Sequence, residues 1–217
     1  MNGVNRVRAL CSSLLLLVLL AANAADEAPT LPDQALRSPT AAVREAVDRI
    51  IVILQRKDAR EAKWVEIGAI IDAHFDFRSM SQSVLATNWQ AATKEEKRQF
   101  VEYFSQYLED TYRTKIEAYT NQRVEYGAET ITGLRATVNT FIVTDANRIP
   151  VNYKLRKNAD DWYAYDVVIE GVSLVNNYRN TFDAIVQSEG MPGLLRDLEG
   201  RIAAHRKAHR GAREESN

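Results

Sequence analysis

Apolar side chains recur at helical spacing from residue 38 onward. Ser38 is a good N-cap, and Pro39 suits the first position of the helix that follows. Three further apolar stripes predict a second helix, a short third helix, and a long helix that starts with a capping box at Thr93–Glu96 and runs to Tyr119. The four stripes contain Val43, Val47, Ile50, Ile51 and Leu54, then Trp64, Ile67, Ile71 and Phe75, then Phe77, Met80 and Val84, and finally Phe100, Phe104, Tyr107, Leu108 and Thr111.

A β-rich region follows the long helix, because apolar positions there alternate with polar ones. Val151, Tyr153 and Leu155 alternate with polar residues, which indicates a half-buried antiparallel strand. Glycines and short polar turns separate this strand from its neighbours. The predicted strands are Gln122–Tyr126, Glu129–Thr132, Leu134–Thr144, Ile149–Lys157 and Trp162–Glu170.

Helical spacing returns after Gly171. It is interrupted near Gly190 and Pro192 and then resumes as far as Ile202, whereas the charged residues beyond Ala203 are expected to fray. Helices first, an antiparallel meander next and helices last predict an α+β fold. In this fold, helices pack on one face of a curved, four- to five-stranded antiparallel sheet.

The N-terminus has the three regions of a secretory signal peptide. Arg6 and Arg8 precede a leucine-rich run, and Ala22-Asn23-Ala24 fits a small-x-small cleavage site. The apolar run is shorter than the roughly 20 residues that a membrane-spanning helix needs. The predicted organisation is a signal peptide over residues 1–24, a flexible linker over 25–37, a folded domain over 38–203 and a charged C-terminal tail over 204–217. We expect the mature protein to be exported and soluble.

Charge and cysteine content argue against some classes of protein. Without residues 1–24 the chain has 26 basic and 29 acidic side chains, which gives no electrostatic case for binding nucleic acid. Cys11 is the single cysteine and lies in the predicted signal peptide. The mature core must therefore hold together without disulfides, and about 190 residues are enough for such a core in one domain.

Candidate catalytic and metal-binding residues are few. His205 and His209 have a spacing that suits a metal on a helix, but they lie in a basic segment without a third ligand nearby, which favours a solvated helix end. His74 is interpreted as a structural residue. Tyr165 and Asp166 suggest the acid–base pair of a cone-shaped periplasmic enzyme, yet neighbours on a strand point to opposite faces. We therefore predict no enzymatic activity, no cofactor and no metal site.

The run from Asp161 to Arg179, DWYAYDVVIEGVSLVNNYR, resembles the signature of the MlaC family, also called the toluene-tolerance auxiliary proteins. Further matching elements lie upstream, and the similarity covers about residues 40–200. The upstream elements are Phe75-Asp76-Phe77, Met80, Trp89, the helix start at Thr93–Phe100, Phe104, Leu108, Tyr112, Tyr119 and Pro150–Leu155. Two positions depart from the pattern: Ala86 stands where a glycine is expected, and Thr181 stands where a glutamine is usual.

The resemblance implies a periplasmic phospholipid carrier without catalytic activity. Such a carrier exchanges phospholipid between an outer-membrane lipoprotein–porin complex and an inner-membrane ABC transporter that has a lipid-binding substrate domain. It thereby maintains outer-membrane lipid asymmetry. The acyl chains are the cargo and enter an apolar cleft between the sheet and the helices, while the head group stays outside. We expect a monomer with broad phospholipid selectivity.

Face assignment along the predicted elements, combined with the resemblance, gives a set of candidate lipid-binding residues. They are Leu85, Trp89, Phe104, Leu108, Tyr112, Val138, Phe141, Val151, Tyr153, Val167, Ile169, Val172 and Val175. Tyr178 and Arg179 are candidates for contact with the head group, and the alternative for Arg179 is an ion pair with Asp166 or Glu170. Two other functions stay open: binding of another amphiphile such as a hopanoid, and the cone-fold enzyme.

Overall fold

The protein is described by a computed structural model over residues 37–119, 122–159 and 161–214, with side chains up to residue 208. The predicted signal peptide and all but the last residue of the predicted linker lie outside these ranges. Within them, no helix is both long enough and apolar enough to cross a lipid bilayer.

The described residues form six helices and five strands. The helices are α1 (Pro39–Gln55), α2 (Arg60–His74), α3 (Phe77–Leu85), α4 (Thr87–Ala91), α5 (Lys94–Glu117) and α6 (Leu174–Glu214), and α6 is interrupted by non-helical backbone at Gly190. The strands are β1 (Arg123–Thr132), β2 (Arg135–Val143), β3 (Arg148–Asn158), β4 (Asp161–Ile169) and β5 (Val172–Ser173). The fold class is α+β, as predicted.

The five strands form one antiparallel meander in the order β1-β2-β3-β4-β5. The register places Thr140 opposite Val151, and Val151 opposite Ile169. These three residues therefore lie side by side on one face of the sheet, because side chains alternate between the two faces along each strand. The two segments predicted before and after Gly127 form the single strand β1, whose register shifts between Tyr126 and Glu129.

Two of the predicted helix starts are formed by the expected caps. The Ser38 hydroxyl accepts a hydrogen bond from the Ala41 amide at 3.1 Å, with Pro39 in the first turn of α1. At the start of α5, the Glu96 amide donates to the Thr93 hydroxyl at 3.2 Å and the Thr93 amide donates to the Glu96 carboxylate at 2.8 Å. These reciprocal bonds satisfy backbone donors that have no partner inside the helix.

One apolar cluster, here called the helical core, lies among α3, α4, α5 and α6. Stacked and edge-on aromatic rings fill its centre, where the ring centroids of Phe104 and Phe182 are 5.6 Å apart. The buried residues of the helical core are Met80, Val84, Leu85, Trp89, Ala92, Phe100, Phe104, Tyr107, Leu108, Val175, Tyr178, Phe182, Met191, Leu194, Leu195, Leu198 and Ile202. Two smaller clusters join α1 to the sheet and α1 to α2.

The C-terminal region differs from the expectation of a frayed tail. Helix α6 continues to Glu214, and its described side chains pack against α5. The His205 ring lies edge-on to Tyr107 with centroids 5.7 Å apart, and the Arg206 guanidinium donates to the Gln106 side chain at 2.9 Å. These contacts give the basic segment a partner surface that its composition does not reveal.

Candidate functional site

A cavity of about 530 Å³ lies between the sheet and the helices. Its walls come from α1, α2, α3 and α5 and from strands β1 to β4, together with the turn after β4 and the first residue of α6. Its lining residues are Ala42, Val43, Ala46, Val47, Ile50, Ile51, Leu54, Ile71, His74, Phe75, Phe77, Met80, Leu108, Glu109, Tyr112, Lys115, Ile116, Tyr119, Val124, Thr140, Ile142, Ile149, Val151, Tyr153, Leu155, Trp162, Ala164, Val167, Ile169, Glu170 and Leu174.

The walls are apolar because three stripes of the sequence meet there. Helix α1 contributes one face that includes Val47 and Ile51, and α5 contributes a face that includes Ile116. Strand β3 contributes the alternate positions Val151 and Tyr153. An apolar volume with these walls excludes charged ligand groups and accepts hydrocarbon.

Polar atoms in the wall are mostly paired within the protein. The buried Thr140 hydroxyl donates to the Val151 carbonyl at 2.6 Å, and the His74 Nδ1 lies 2.8 Å from the Ile70 carbonyl oxygen. Burial raises the pKa of the Tyr112 hydroxyl above its ordinary value. Desolvation raises the pKa of Tyr153 to about 12, so this hydroxyl stays neutral inside the cavity at physiological pH.

Glu109 is the acidic side chain most affected by the cavity. Burial raises the pKa of its carboxyl to about 7, and the nearby Asp72 and Asp110 add to the shift. The Glu109 carboxyl lies against α2. Its Oε2 atom is 3.6 Å from the position that a Cβ would occupy on Gly68, a residue of that helix. With this pKa, the Glu109 carboxyl is uncharged in about half of the molecules at neutral pH, which is compatible with an apolar wall.

Six of the predicted lipid-binding residues line the cavity. They are Leu108, Tyr112, Val151, Tyr153, Val167 and Ile169. All six lie either on the second half of α5 or on the face of β3 and β4 that is directed toward α1. The structure thus brings together the central strands and the long helix, as face assignment predicts.

Seven predicted residues lie elsewhere. Leu85, Trp89, Phe104 and Val175 belong to the helical core, and Val175 is itself part of α6. Val138 is buried in the cluster between α1 and the sheet. Phe141 follows the cavity-lining Thr140 and therefore faces the other side of the sheet, where the Arg148 guanidinium lies 3.3 Å from its ring centre. Val172 is 57% exposed on β5, because the chain forms a short strand there instead of the predicted helix.

The two candidate head-group residues are engaged within the protein. Tyr178 is buried in the helical core, with its ring edge-on to Phe104 at 5.4 Å. The Arg179 Nε and Nη2 donate to the Ser83 carbonyl at 3.0 and 2.6 Å and so tie α6 to α3. Asp166, one of the two alternative partners considered for Arg179, is instead paired with Lys154 at 2.9 Å.

The apolar face of α1 is the main part of the cavity wall that the sequence-based site list lacks. Its stripe is visible in the sequence, but nothing there tells whether the helix covers a filled core or an open volume. Lys115 and Glu170 are also absent from that list, and in the part of the chain that the structure describes they are the two exposed residues that line the cavity.

Comparison with known protein families identifies a family for this chain. The model of the family described as "MlaC protein" matches residues 44–200, which is more than half of the chain. The chain belongs to the MlaC family. Among the residues that the structure describes, no group of three or more His, Cys, Asp and Glu side chains is arranged to hold a metal ion.

Two curated relatives are about a quarter identical to this chain over the region that aligns. The intermembrane phospholipid transport system binding protein MlaC of Haemophilus influenzae is 23% identical over 122 residues, which is 54% of this chain and 57% of the relative. The toluene tolerance protein ttg2D of Pseudomonas putida is 25% identical over 127 residues, which is 57% of either chain. The match thus spans a little over half the length of these relatives.

The solved structure of a phospholipid-binding protein from Ralstonia solanacearum, in complex with a phospholipid, has the same fold. It superposes with a TM-score of 0.70 at 24% identity and covers 76% of this chain and 97% of the Ralstonia chain. The α+β architecture is therefore common to the two proteins.

The run that resembles the MlaC signature has a structural role at the junction between sheet and helix. It covers β4, the turn at Glu170-Gly171, β5 and the start of α6. The buried carboxylate of Asp166 accepts hydrogen bonds from the Ser173 hydroxyl at 2.7 Å and from the Val175 amide at 3.1 Å. Asp166 thus fixes the first turn of α6, and it does not line the cavity.

Ala86, where the MlaC pattern has a glycine, joins α3 to α4. Its backbone has φ 49° and ψ −117°. This is the conformation of the first central residue of a type II′ turn, which favours glycine because a Cβ is crowded there. The structure therefore accounts for the expected glycine, and alanine at this position is strained.

Proposed function

We propose that this protein is a periplasmic phospholipid carrier that holds the acyl chains of its cargo in the apolar cavity. The cavity carries the proposal, because its walls offer hydrocarbon contact over several elements and its exposed charges are confined to Lys115 and Glu170. Membership of the MlaC family and the lipid-bound Ralstonia relative support the same assignment. The protein acts by binding and release, without catalysis.

The energy of lipid transfer explains why a carrier needs an enclosed cavity. Two acyl chains with about 30 methylenes lose about 24 kcal/mol on exposure to water, at about 0.8 kcal/mol per methylene. A shallow surface groove would leave much of the acyl chains in water, so it could not offset much of this free energy. A cavity covered by α1 and α5 on one side and by the sheet on the other replaces most of the lost contact.

Loading requires the cavity to widen. Its volume of about 530 Å³ lies within the range of about 300–1,000 Å³ that is usual for drug-sized ligands. A ligand with two long chains needs more room, so we expect α1 and α2 to move away from the sheet when lipid enters. An empty apolar cavity costs free energy, which favours closure of α1 and α2 on the sheet after the lipid is released.

The two partners of the proposed carrier are membrane complexes. We infer that lipid is exchanged with an outer-membrane lipoprotein–porin complex and with an inner-membrane ABC transporter that has a lipid-binding substrate domain. This exchange maintains outer-membrane lipid asymmetry. The name of the Haemophilus relative, which places that protein in an intermembrane phospholipid transport system, supports this part of the proposal.

Mass spectrometry of the purified protein tests the assignment. The native protein is expected to carry phospholipid, and delipidated protein is expected to take phospholipid from vesicles. Val151→Asp places a carboxylate in the cavity wall and is expected to abolish capture. Asn152→Asp places the same carboxylate one residue along β3, on the opposite face, and is the matched control.

The outcomes of this experiment distinguish a phospholipid carrier from the rival functions. If Val151→Asp stays folded by circular dichroism and still captures phospholipid, the cavity is not the lipid site. Folded native protein that never binds phospholipid contradicts the proposal as a whole. A co-purified hopanoid or aromatic amphiphile would instead favour a carrier for another class of cargo. The cone-fold enzyme has less support, because the carboxylate that it requires in the pocket, Asp166, caps α6.

A further inference from the structure

The opening of the cavity is marked by two charges of opposite sign. Among the described residues that line the cavity, Lys115 and Glu170 alone are exposed, whereas the others are buried or half-buried. Lys115 is near the C-terminal end of α5, and Glu170 lies in the turn that follows β4. Val124, Ile142 and Ile149 pair side by side at one end of the sheet, where the Glu170 amide donates to the Pro150 carbonyl. Helix α5 ends at Glu117, six residues before β1 begins at Arg123, so Lys115 and Glu170 lie toward this same end of the sheet.

Lys115 has no acidic partner among the described residues. Its Nζ lies 5.4 Å from the centre of the Tyr112 ring, which is a cation–π contact. The Tyr112 ring packs against the helical core, which includes Tyr178 on α6. The ammonium group therefore stays over a fixed aromatic surface at the cavity opening and remains available to an anion.

Glu170 is held by its backbone. Its amide donates to the Pro150 carbonyl at 3.0 Å, and its positive φ of 51° belongs to the tight turn with Gly171. No described cation pairs with its carboxylate. Leu174 lies four residues further on and also lines the cavity, at the start of the helix that carries Tyr178.

We propose that Lys115 and Glu170 form a head-group subsite that favours zwitterionic phospholipids bearing an amine. This inference rests on the proposed carrier function, because the acyl chains must occupy the cavity for a head group to reach the opening. The Lys115 ammonium contacts the lipid phosphate, and the Glu170 carboxylate contacts the head-group ammonium. The apolar walls bind acyl chains of every head-group class alike, so any selection has to come from these two charges.

The subsite produces a bias and not a strict filter. Both side chains are exposed, and ion pairs in water contribute little because solvent competes with them. We therefore expect preferences of about three-fold per charge, which corresponds to about 0.7 kcal/mol. Overall binding still depends on the hydrocarbon contacts.

Competition between lipids with identical acyl chains tests the subsite. Delipidated full-length mature protein is mixed with vesicles that contain phosphatidylethanolamine, phosphatidylglycerol and diacylglycerol in equal amounts, and the lipids bound to the separated protein are quantified by mass spectrometry. Lys115→Gln is expected to lower the capture of both phospholipids relative to diacylglycerol by about three-fold. Glu170→Gln is expected to lower the ratio of phosphatidylethanolamine to phosphatidylglycerol by a similar factor.

Two exposed residues away from the cavity serve as matched controls. Lys94→Gln at the start of α5 and Glu199→Gln on α6 remove the same charges and are expected to leave all ratios unchanged. Ratios that do not change in Lys115→Gln and Glu170→Gln, or that change equally in the controls, overturn the subsite. Wild-type protein that captures none of the three lipids would contradict the carrier function itself, so the two failures are distinguishable.

Discussion

The helical core and the cavity are both apolar, yet one is filled and the other is open. In the helical core, Phe100, Phe104 and Phe182 pack ring against ring with centroids 5.4 to 5.9 Å apart. The α1 side of the cavity is built instead from aliphatic residues such as Ala46 and Val47. Large aromatic side chains close the space between helices, and small aliphatic ones leave it open.

The two regions also differ in how their helices are held together. The helical core ties α3 to α6 by packing and by the Arg179 contacts with the Ser83 carbonyl. Beside the cavity, Arg113 of α5 pairs with Glu61 of α2 at 2.8 Å and lies over the Trp64 ring, and Ile116 packs against the apolar cluster between α1 and α2. The helices on this side are thus held together by a smaller apolar cluster and by charged contacts, whereas α3, α4, α5 and α6 share the larger helical core.

The largest effect is expected from truncating leucines in the two regions. Leu198→Ala removes a fully buried side chain from the helical core and is expected to lower the free energy of unfolding by about 2–5 kcal/mol. Leu54→Ala removes a half-buried side chain that already borders empty space, so its loss is expected to be about 1 kcal/mol or less. Urea denaturation of the delipidated variants measures both values, and equal losses would show that the cavity is not open in solution.

Much of the fold can be predicted from the sequence, because local patterns determine it. Alternation over Val151, Tyr153 and Leu155 predicts β3 and the face that it directs toward the helices. The capping box at Thr93 and Glu96 predicts the start of α5. Each of these signals is contained within a few residues, so no knowledge of distant partners is needed.

The candidate site is harder to predict, because a helical stripe defines a face but not what covers it. Phe104, Leu108 and Tyr112 form one stripe on α5, but α6 covers Phe104 while the other two border the cavity. Aromatic residues were expected to form the cavity wall, and many of them fill the helical core instead. Val172 shows a second limit, because a two-residue strand leaves no periodic signal.

A pH-dependent effect of intermediate size is expected from Glu109 in the cavity wall. The pKa of its carboxyl is raised to about 7 by burial and by Asp72 on α2 and Asp110 on α5, whereas in the unfolded chain the carboxyl ionises near its ordinary pKa of 4.5. The contribution of the neutral Glu109 carboxyl to the free energy of unfolding is fully present below the pKa that this group has in the unfolded chain. It is lost as the pH rises through the folded pKa.

Glu109→Gln removes this titration, so its stability advantage over the wild type should grow between pH 5 and pH 8. After allowance for solvent screening we expect a gain of about 1 kcal/mol at the upper end. Thermal unfolding of the delipidated proteins across this range measures the difference, with Glu199→Gln on the exposed part of α6 as control. A difference that does not vary with pH would mean that the carboxyl is fully solvated.

The smallest effect is expected at Ala86, a strained position beside the helical core. Its φ of 49° and ψ of −117° crowd the alanine Cβ, so Ala86→Gly should relieve strain and raise the free energy of unfolding by about 0.5–1 kcal/mol. Ala184→Gly, on the exposed surface of α6, should lower it by about the same amount, because glycine costs entropy where the backbone is helical. Chemical denaturation of the pair should therefore give changes of opposite sign. A loss in both variants would mean that the chain relaxes at Ala86, and the sequence departure from the family pattern would then carry no energetic cost.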